Sequence, residues 1–155
     1  MRKIIALDTN LLVLLVVGLT APRYISVHKK LNPTYGVADY QLLTGLIAAS
    51  AGVVVTPNVL SEASNLLRQI NEPAKTQIAL AFREVISRTE EIYVTSADAA
   101  SRKEFVRLGL SDSSLLEISK RNIVILSVDL DLYLAARAAG YDALNFNYVV
   151  EASRE

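Results

Sequence analysis

The chain has 155 residues, the length of one domain at about 150 residues each, and enough to bury a core without covalent or metal staples. It carries no cysteine and a single histidine, His28. That excludes disulfide frameworks, thiolate zinc sites, iron–sulfur clusters, cysteine nucleophiles and sites needing two imidazoles, and it argues against a Ser-His-Asp triad. Sixteen basic residues balance sixteen acidic ones, so no whole-molecule field draws in nucleic acid. Hydrophobic residues make up 52% and the mean hydropathy is +0.31, values that suit a sheet covered on both faces. Chemistry must therefore come from carboxylates, hydroxyls and amides, with or without a metal they recruit.

The apolar stretch Ile4 to Leu19 is interrupted by Asp8, Thr9 and Asn10, and Leu11 to Leu19 falls short of the roughly 20 residues that span a bilayer. Asp8 also disqualifies the stretch as the core of a signal peptide. A cytoplasmic protein is the expectation.

In chain order, Lys3–Leu7 predicts a short buried strand, and Leu11–Val17 an all-round apolar helix closed by Gly18. Residues 20–36, with Pro22, Pro33 and Gly36, read as a loop or short irregular excursion. Tyr40, Leu43 and Ile47 recur at helical spacing, and Val53–Val55 is a β-branched strand. Thr56-Pro57 is a helix start, threonine as N-cap and proline in the first turn. Val59, Ala63, Leu66 and Ile70 form that helix's inner stripe, and Pro73 opens another helix with Ile78, Ala81, Phe82 and Val85 on one face. Ile92–Val94 predicts a third strand. A helix over roughly 97–108 ends at Gly109, and Ser111 caps a second, short one. Ile123–Leu126 is the clearest strand, Leu132–Ala139 a helix ended by Gly140, and Ala143–Phe146 an edge strand. Residues 1–155 thus read as a single three-layer α/β/α domain around a mostly parallel sheet of four to five strands.

In such sheets the functional crevice lies outside the carboxyl ends of the strands. Asp8 follows the first strand, and Asp129 and Asp131 follow the strand at 123–126. Glu62 lies in the helix leaving the second strand. Asp112 sits in the first turn of the helix before the 123–126 strand and shares a face with Leu115 and Leu116, pointing it toward the sheet. No lysine or arginine adjoins Asp8, Glu62 or Asp129. Clustered carboxylates without basic partners raise one another's pKa unless a divalent cation neutralises them, and all-oxygen ligation selects magnesium or manganese. Four of these five acids also have a plain structural role available: Asp112 favouring the helix dipole, Asp129 and Asp131 in a turn, Asp8 as an N-cap.

Four blocks, Ile5–Asn10, Thr56–Glu62, Gly109–Ser114 and Ile125–Asp129, together resemble the PIN-domain family in order and spacing. The resemblance implies a metal-dependent ribonuclease cutting single-stranded RNA, with Asp8, Glu62, Asp112 and Asp129 as the acidic cluster. It further implies metal ligation by Asp8, Asp112 and Asp129, hydrogen bonds within the site from Asn10 and Ser127, and Asp131 as an auxiliary acid. It implies Mg²⁺ or Mn²⁺ as cofactor and a homodimer. Many bacterial members are toxins paired with an antitoxin protein, although the long segment Thr20–Tyr40 departs from compact toxin members. Two other readings stand beside this one. The first is a catalytically silent PIN-like module binding RNA or protein. The second is a phosphatase of haloacid-dehalogenase type with Asp129-Leu130-Asp131 as its nucleophile motif, although that motif normally opens its domain. Arg23, His28, Lys29 and Lys30, interleaved with Tyr24 and Tyr35, are candidate contacts to phosphates and bases, or a solvated loop. Arg102, Lys103 and Arg107 read as a helix's solvent face.

Overall fold

The computed structural model describes residues 2–155. Five strands form one all-parallel sheet: β1 (Ile4–Leu7), β2 (Gly52–Val55), β3 (Glu90–Glu91), β4 (Val124–Ser127) and β5 (Ala143–Asn145). Their spatial order is β3-β2-β1-β4-β5. β1 is central, with Ile5 opposite Val53 on one side and Val124 on the other. Around the sheet pack α1 (Thr9–Thr20), α2 (Val37–Ala49), α3 (Pro57–Leu67), α4 (Ala74–Arg88), α5 (Ser96–Ala100), α6 (Phe105–Leu108), α7 (Leu110–Ile118), α8 (Leu130–Ala138) and α9 (Phe146–Ser153). From β1 the chain steps outward to β2 and β3, then returns across to β4 and β5. Right-handed crossovers put α1–α4 on one face and α5–α8 on the other, giving three layers. The direction of travel reverses between β1 and β4, so a crevice opens at their carboxyl ends.

α1 is the buried centre of its layer. Every residue from Leu11 to Gly18 is buried, and α2, α3 and α4 all pack on it, which explains a helix with no polar face. It does not stop at Gly18 but runs to Thr20. A Cβ on Gly18 would overlap the Tyr40 ring, so this glycine makes room for α2 rather than ending α1. Across residues 20–36 a 3-10 turn (Pro22–Ser26) precedes a turn-rich stretch pinned by buried Ile25, His28 and Leu31.

Several boundaries differ from expectation, each for a local reason. The third strand pairs at Glu90–Glu91, two residues early. Ile92 donates one more bond, to the Val55 carbonyl (2.8 Å), and buries its side chain, after which the edge strand peels away and Tyr93 is exposed. The helix expected over 97–108 breaks into α5 and α6 because Arg102 turns inward. Its guanidinium bonds Glu117 (2.8 Å) and Glu104 (3.2 Å) and lies 5.6 Å from the centre of the Tyr141 ring. Arg102 is therefore largely covered and not part of a solvent face; Lys103 and Arg107 are exposed. α7 starts at Leu110 on the backbone of Gly109 (φ +85°), with no side-chain cap, so Ser111 lies inside the first turn. α9 is an addition: Asn145 caps it through Asn147 N (2.9 Å) and Phe146 anchors it in the core.

Candidate active site

β1 and β4 deliver the first two acids. Asp8 caps α1 and is 4% exposed. Its Oδ1 accepts from Leu11 N (2.9 Å), and its Oδ2 accepts from the Ser127 hydroxyl (2.6 Å) and Val128 N (2.8 Å). Burial nevertheless holds its pKa above the ordinary carboxylate value, against the pull of these three donors and with a small push from Asp129. Asp129 caps α8: its Oδ1 accepts from Asp131 N (2.9 Å) and Leu132 N (3.2 Å). Ser127 joins the two acids, donating its proton to Asp8 and accepting from Asp129 N (2.9 Å).

α3 and α7 deliver the second pair, and buried hydroxyls align those helices. Thr56, the α3 cap, accepts from Val59 N (3.3 Å) and meets the Ser114 hydroxyl at 2.9 Å; Ser114 donates to the Ser111 carbonyl (2.6 Å). Thr56 therefore supplies the proton between the two hydroxyls, since that of Ser114 is committed. One turn away the Ser111 hydroxyl donates to Glu62 Oε2 (3.1 Å). Among the described residues the Asp112 carboxyl has no hydrogen-bond partner. Its pKa is pushed up to about 7, first by desolvation and then by the negative charges of Asp129, Asp8 and Glu62.

Asp8, Asn10, Glu62, Asp112 and Asp129 line one cavity of 240 Å³, walled by Thr9 and the 108–111 turn. None of the described residues lining it is basic. The four acids expected to meet at one rim do meet. Of the supporting residues, Ser127 is engaged as expected. Asn10 lines the cavity, but its side chain makes none of the hydrogen bonds the resemblance implies. Asp131 is exposed and outside the lining; what it contributes is its backbone N–H to Asp129. The sequence reading missed Ser111, whose only signal was its position beside Asp112.

The donor set suits a hard divalent cation. A carboxylate offers about four lone-pair sites, so one remains on Asp8 Oδ1, Asp129 Oδ2 is untouched, Glu62 Oε1 is open, and Asp112 is wholly free. Among the described residues, however, no group of three or more acids or imidazoles stands close enough to hold one ion, and like charges with nothing between them favour that spacing.

His28 belongs elsewhere. It is fully buried, with Lys30 N donating to Nδ1 (3.1 Å), so Nε2 carries the proton and faces the Leu67 carbonyl at 3.2 Å. Its burial lowers its pKa. It pins the 28–31 turn to α3 and is not a phosphate contact. Among the described residues no helix is long and apolar enough to cross a membrane.

No protein-family model and no curated protein matches the chain.

Proposed function

We propose that the protein is a metal-dependent ribonuclease of PIN type that hydrolyses phosphodiester bonds of single-stranded RNA. One observation carries the reading. Four carboxylates from distant parts of the chain line one cavity at the sheet's switch point, with no basic side chain among them. A structural cluster of this kind would be costly: buried or crowded carboxylates are tolerated when cations or hydrogen bonds compensate them, and Asp112 has neither.

Asp8 Oδ1, Asp112 and Asp129 Oδ2 are the oxygens that would hold Mg²⁺ or Mn²⁺. When bound, such an ion supplies neutralising charge and lowers the pKa of a coordinated water. Glu62, fixed by Ser111, is placed to accept a hydrogen bond from an attacking water and orient it. Ser127 holds Asp8 and the Asp129 backbone in one geometry, which keeps two ligand directions constant. The Asn10 amide, with no side-chain hydrogen bond among the described residues, would bond a phosphate oxygen. Hydrolysis by water does not use the 2′-hydroxyl, so discrimination between RNA and DNA falls to surfaces outside this cavity.

The test is cleavage of single-stranded RNA with Mg²⁺ or Mn²⁺ and its loss in EDTA. Activity that survives exhaustive chelation refutes the mechanism. The open spacing of the carboxylates favours a second reading, a non-catalytic PIN-like module binding RNA or protein. RNA binding without cleavage at any Mn²⁺ concentration would establish it. A cytoplasmic location, a role as the toxin of a toxin–antitoxin pair and a homodimer accompany the main proposal. Light scattering at micromolar concentration checks the dimer, and a monomer there removes it.

A further inference from the structure

Next to the acidic cavity, residues 33–42 and α9 enclose a cleft made of two overlapping cavities of 500 and 310 Å³, a size that suits a small planar ligand. Both cavities are lined by Tyr35, Asp39 and Arg154. The smaller adds Glu151 and Asn147. One residue separates cleft from acids: Val128 N donates to Asp8 Oδ2 (2.8 Å), while the Val128 carbonyl accepts from Asn147 Nδ2 (3.3 Å). Burial, and after it the charges of Asp8 and Asp39, push the Tyr35 hydroxyl up to about 12, so it remains a donor.

The cleft's charges are not spent on one another. Glu151 and Arg154 stand three apart on α9, a spacing at which opposite charges commonly pair, yet among the described residues neither joins an ion pair. Asp39, across from them, already caps α2 by accepting from Gly36 N (2.9 Å). A carboxylate and a guanidinium, both open, flank a half-buried aromatic ring and apolar walls from Leu42 and Val150. A phosphate chain fits poorly, since two acids face one cation. A nucleobase fits better, because single-stranded bases are read on their exposed edges. Among the four RNA bases only guanine offers two adjacent donors, N1–H and N2–H, to a carboxylate and two adjacent acceptors, O6 and N7, to a guanidinium. Adenine would turn its N1 lone pair toward the carboxylate.

We propose that this cleft reads a guanine flanking the reacting phosphodiester, with Glu151 accepting from its N1–H/N2–H edge and Arg154 donating to O6 and N7. The proposal rests on the nuclease reading for its substrate, and its test separates the two. A labelled, unstructured RNA with a single guanine is titrated with the full chain in EDTA and followed by fluorescence anisotropy. Matched RNAs carry inosine, 7-deazaguanine or adenine at that position. The guanine RNA should bind about tenfold more tightly than the adenine RNA, with intermediate losses for inosine, which lacks the N2 amino group, and for 7-deazaguanine, which lacks N7. Glu151→Ala should erase the inosine penalty alone, and Arg154→Ala the 7-deazaguanine penalty alone. Both residues are exposed, and these chemical pairings do not follow from a general loss of fold. Equal binding of all four RNAs overturns the proposal. Metal-dependent cleavage without guanine preference leaves the nuclease and removes the cleft's role. Guanine-selective binding without metal-dependent cleavage does the opposite.

Discussion

Replacing Asp112 by asparagine removes one negative charge from the cavity while keeping side-chain shape and a polar head. In the folded protein the Asp112 carboxyl is pushed up to about 7 from an ordinary 3.8. Between those values the unfolded chain has released this proton and the folded one retains it. The unfolded state therefore binds fewer protons, and stability must fall as pH rises, by about 1.4 kcal/mol per pH unit from this group. A shift of about three units corresponds to roughly 4 kcal/mol when Asp112 is fully ionised. Asparagine cannot ionise, so the variant escapes the loss. Metal-free Asp112→Asn should match wild type near pH 4 and exceed it by roughly 2–4 kcal/mol at pH 8, a rise in Tm on the order of 10 °C for a domain this size. The assay is a set of urea or thermal melts in EDTA from pH 4 to 8. In Mn²⁺ the order should reverse in part: wild type gains stability by mass action, the variant gains less, and the variant loses most RNA cleavage. Parallel pH profiles for wild type and variant would show that Asp112 does not carry the cluster's repulsion, and an unchanged Mn²⁺ response would return it to a helix-dipole role.

Ser127→Ala leaves Asp129 N and part of Asp8 Oδ2 without a partner in a fully buried position. It should cost about 1–3 kcal/mol in denaturant melts and weaken the Mn²⁺ response; a variant as stable as wild type would mean water replaces the hydroxyl. Arg102→Ala strands Glu104, 8% exposed, and leaves Glu117 to Lys120 alone (3.0 Å); it should destabilise by about 3 kcal/mol, read as a fall in Tm, and a loss under about 1 kcal/mol would place Arg102 among weak surface pairs.

The sheet and the acids were legible because both depend on patterns the chain repeats. Apolar runs at 4–7, 53–55 and 123–126 need a doubly covered sheet, and a parallel sheet gathers whatever follows each strand at one edge. Asp8 and Asp129 follow strands directly, so their meeting needed only strand order. Asp112 needed one further step, the helical phase it shares with Leu115 and Leu116, both fully buried. What stayed hidden depends on single tertiary partners. Gly18 reads as a stop until the Tyr40 ring is seen above it. Arg102 reads as solvent-facing until Glu117, fifteen residues on, draws it inward. α9 is eight residues long, and its one buried anchor, Phe146, suits an edge strand equally well by pattern. The Thr56–Ser114 contact joins residues 58 apart, and no local periodicity encodes it.

That contact belongs to a set of hydroxyl bridges that fixes how the acids are grouped. Ser127 fastens Asp8 to Asp129 across β1 and β4, while Thr56, Ser111 and Ser114 fasten the helix carrying Glu62 to the helix carrying Asp112. The four acids thus arrive as two jaws, each already assembled. Were an ion to be bound there, gathering the acids around it would need one adjustment of jaw against jaw rather than four separate side-chain searches, at a correspondingly smaller entropic cost.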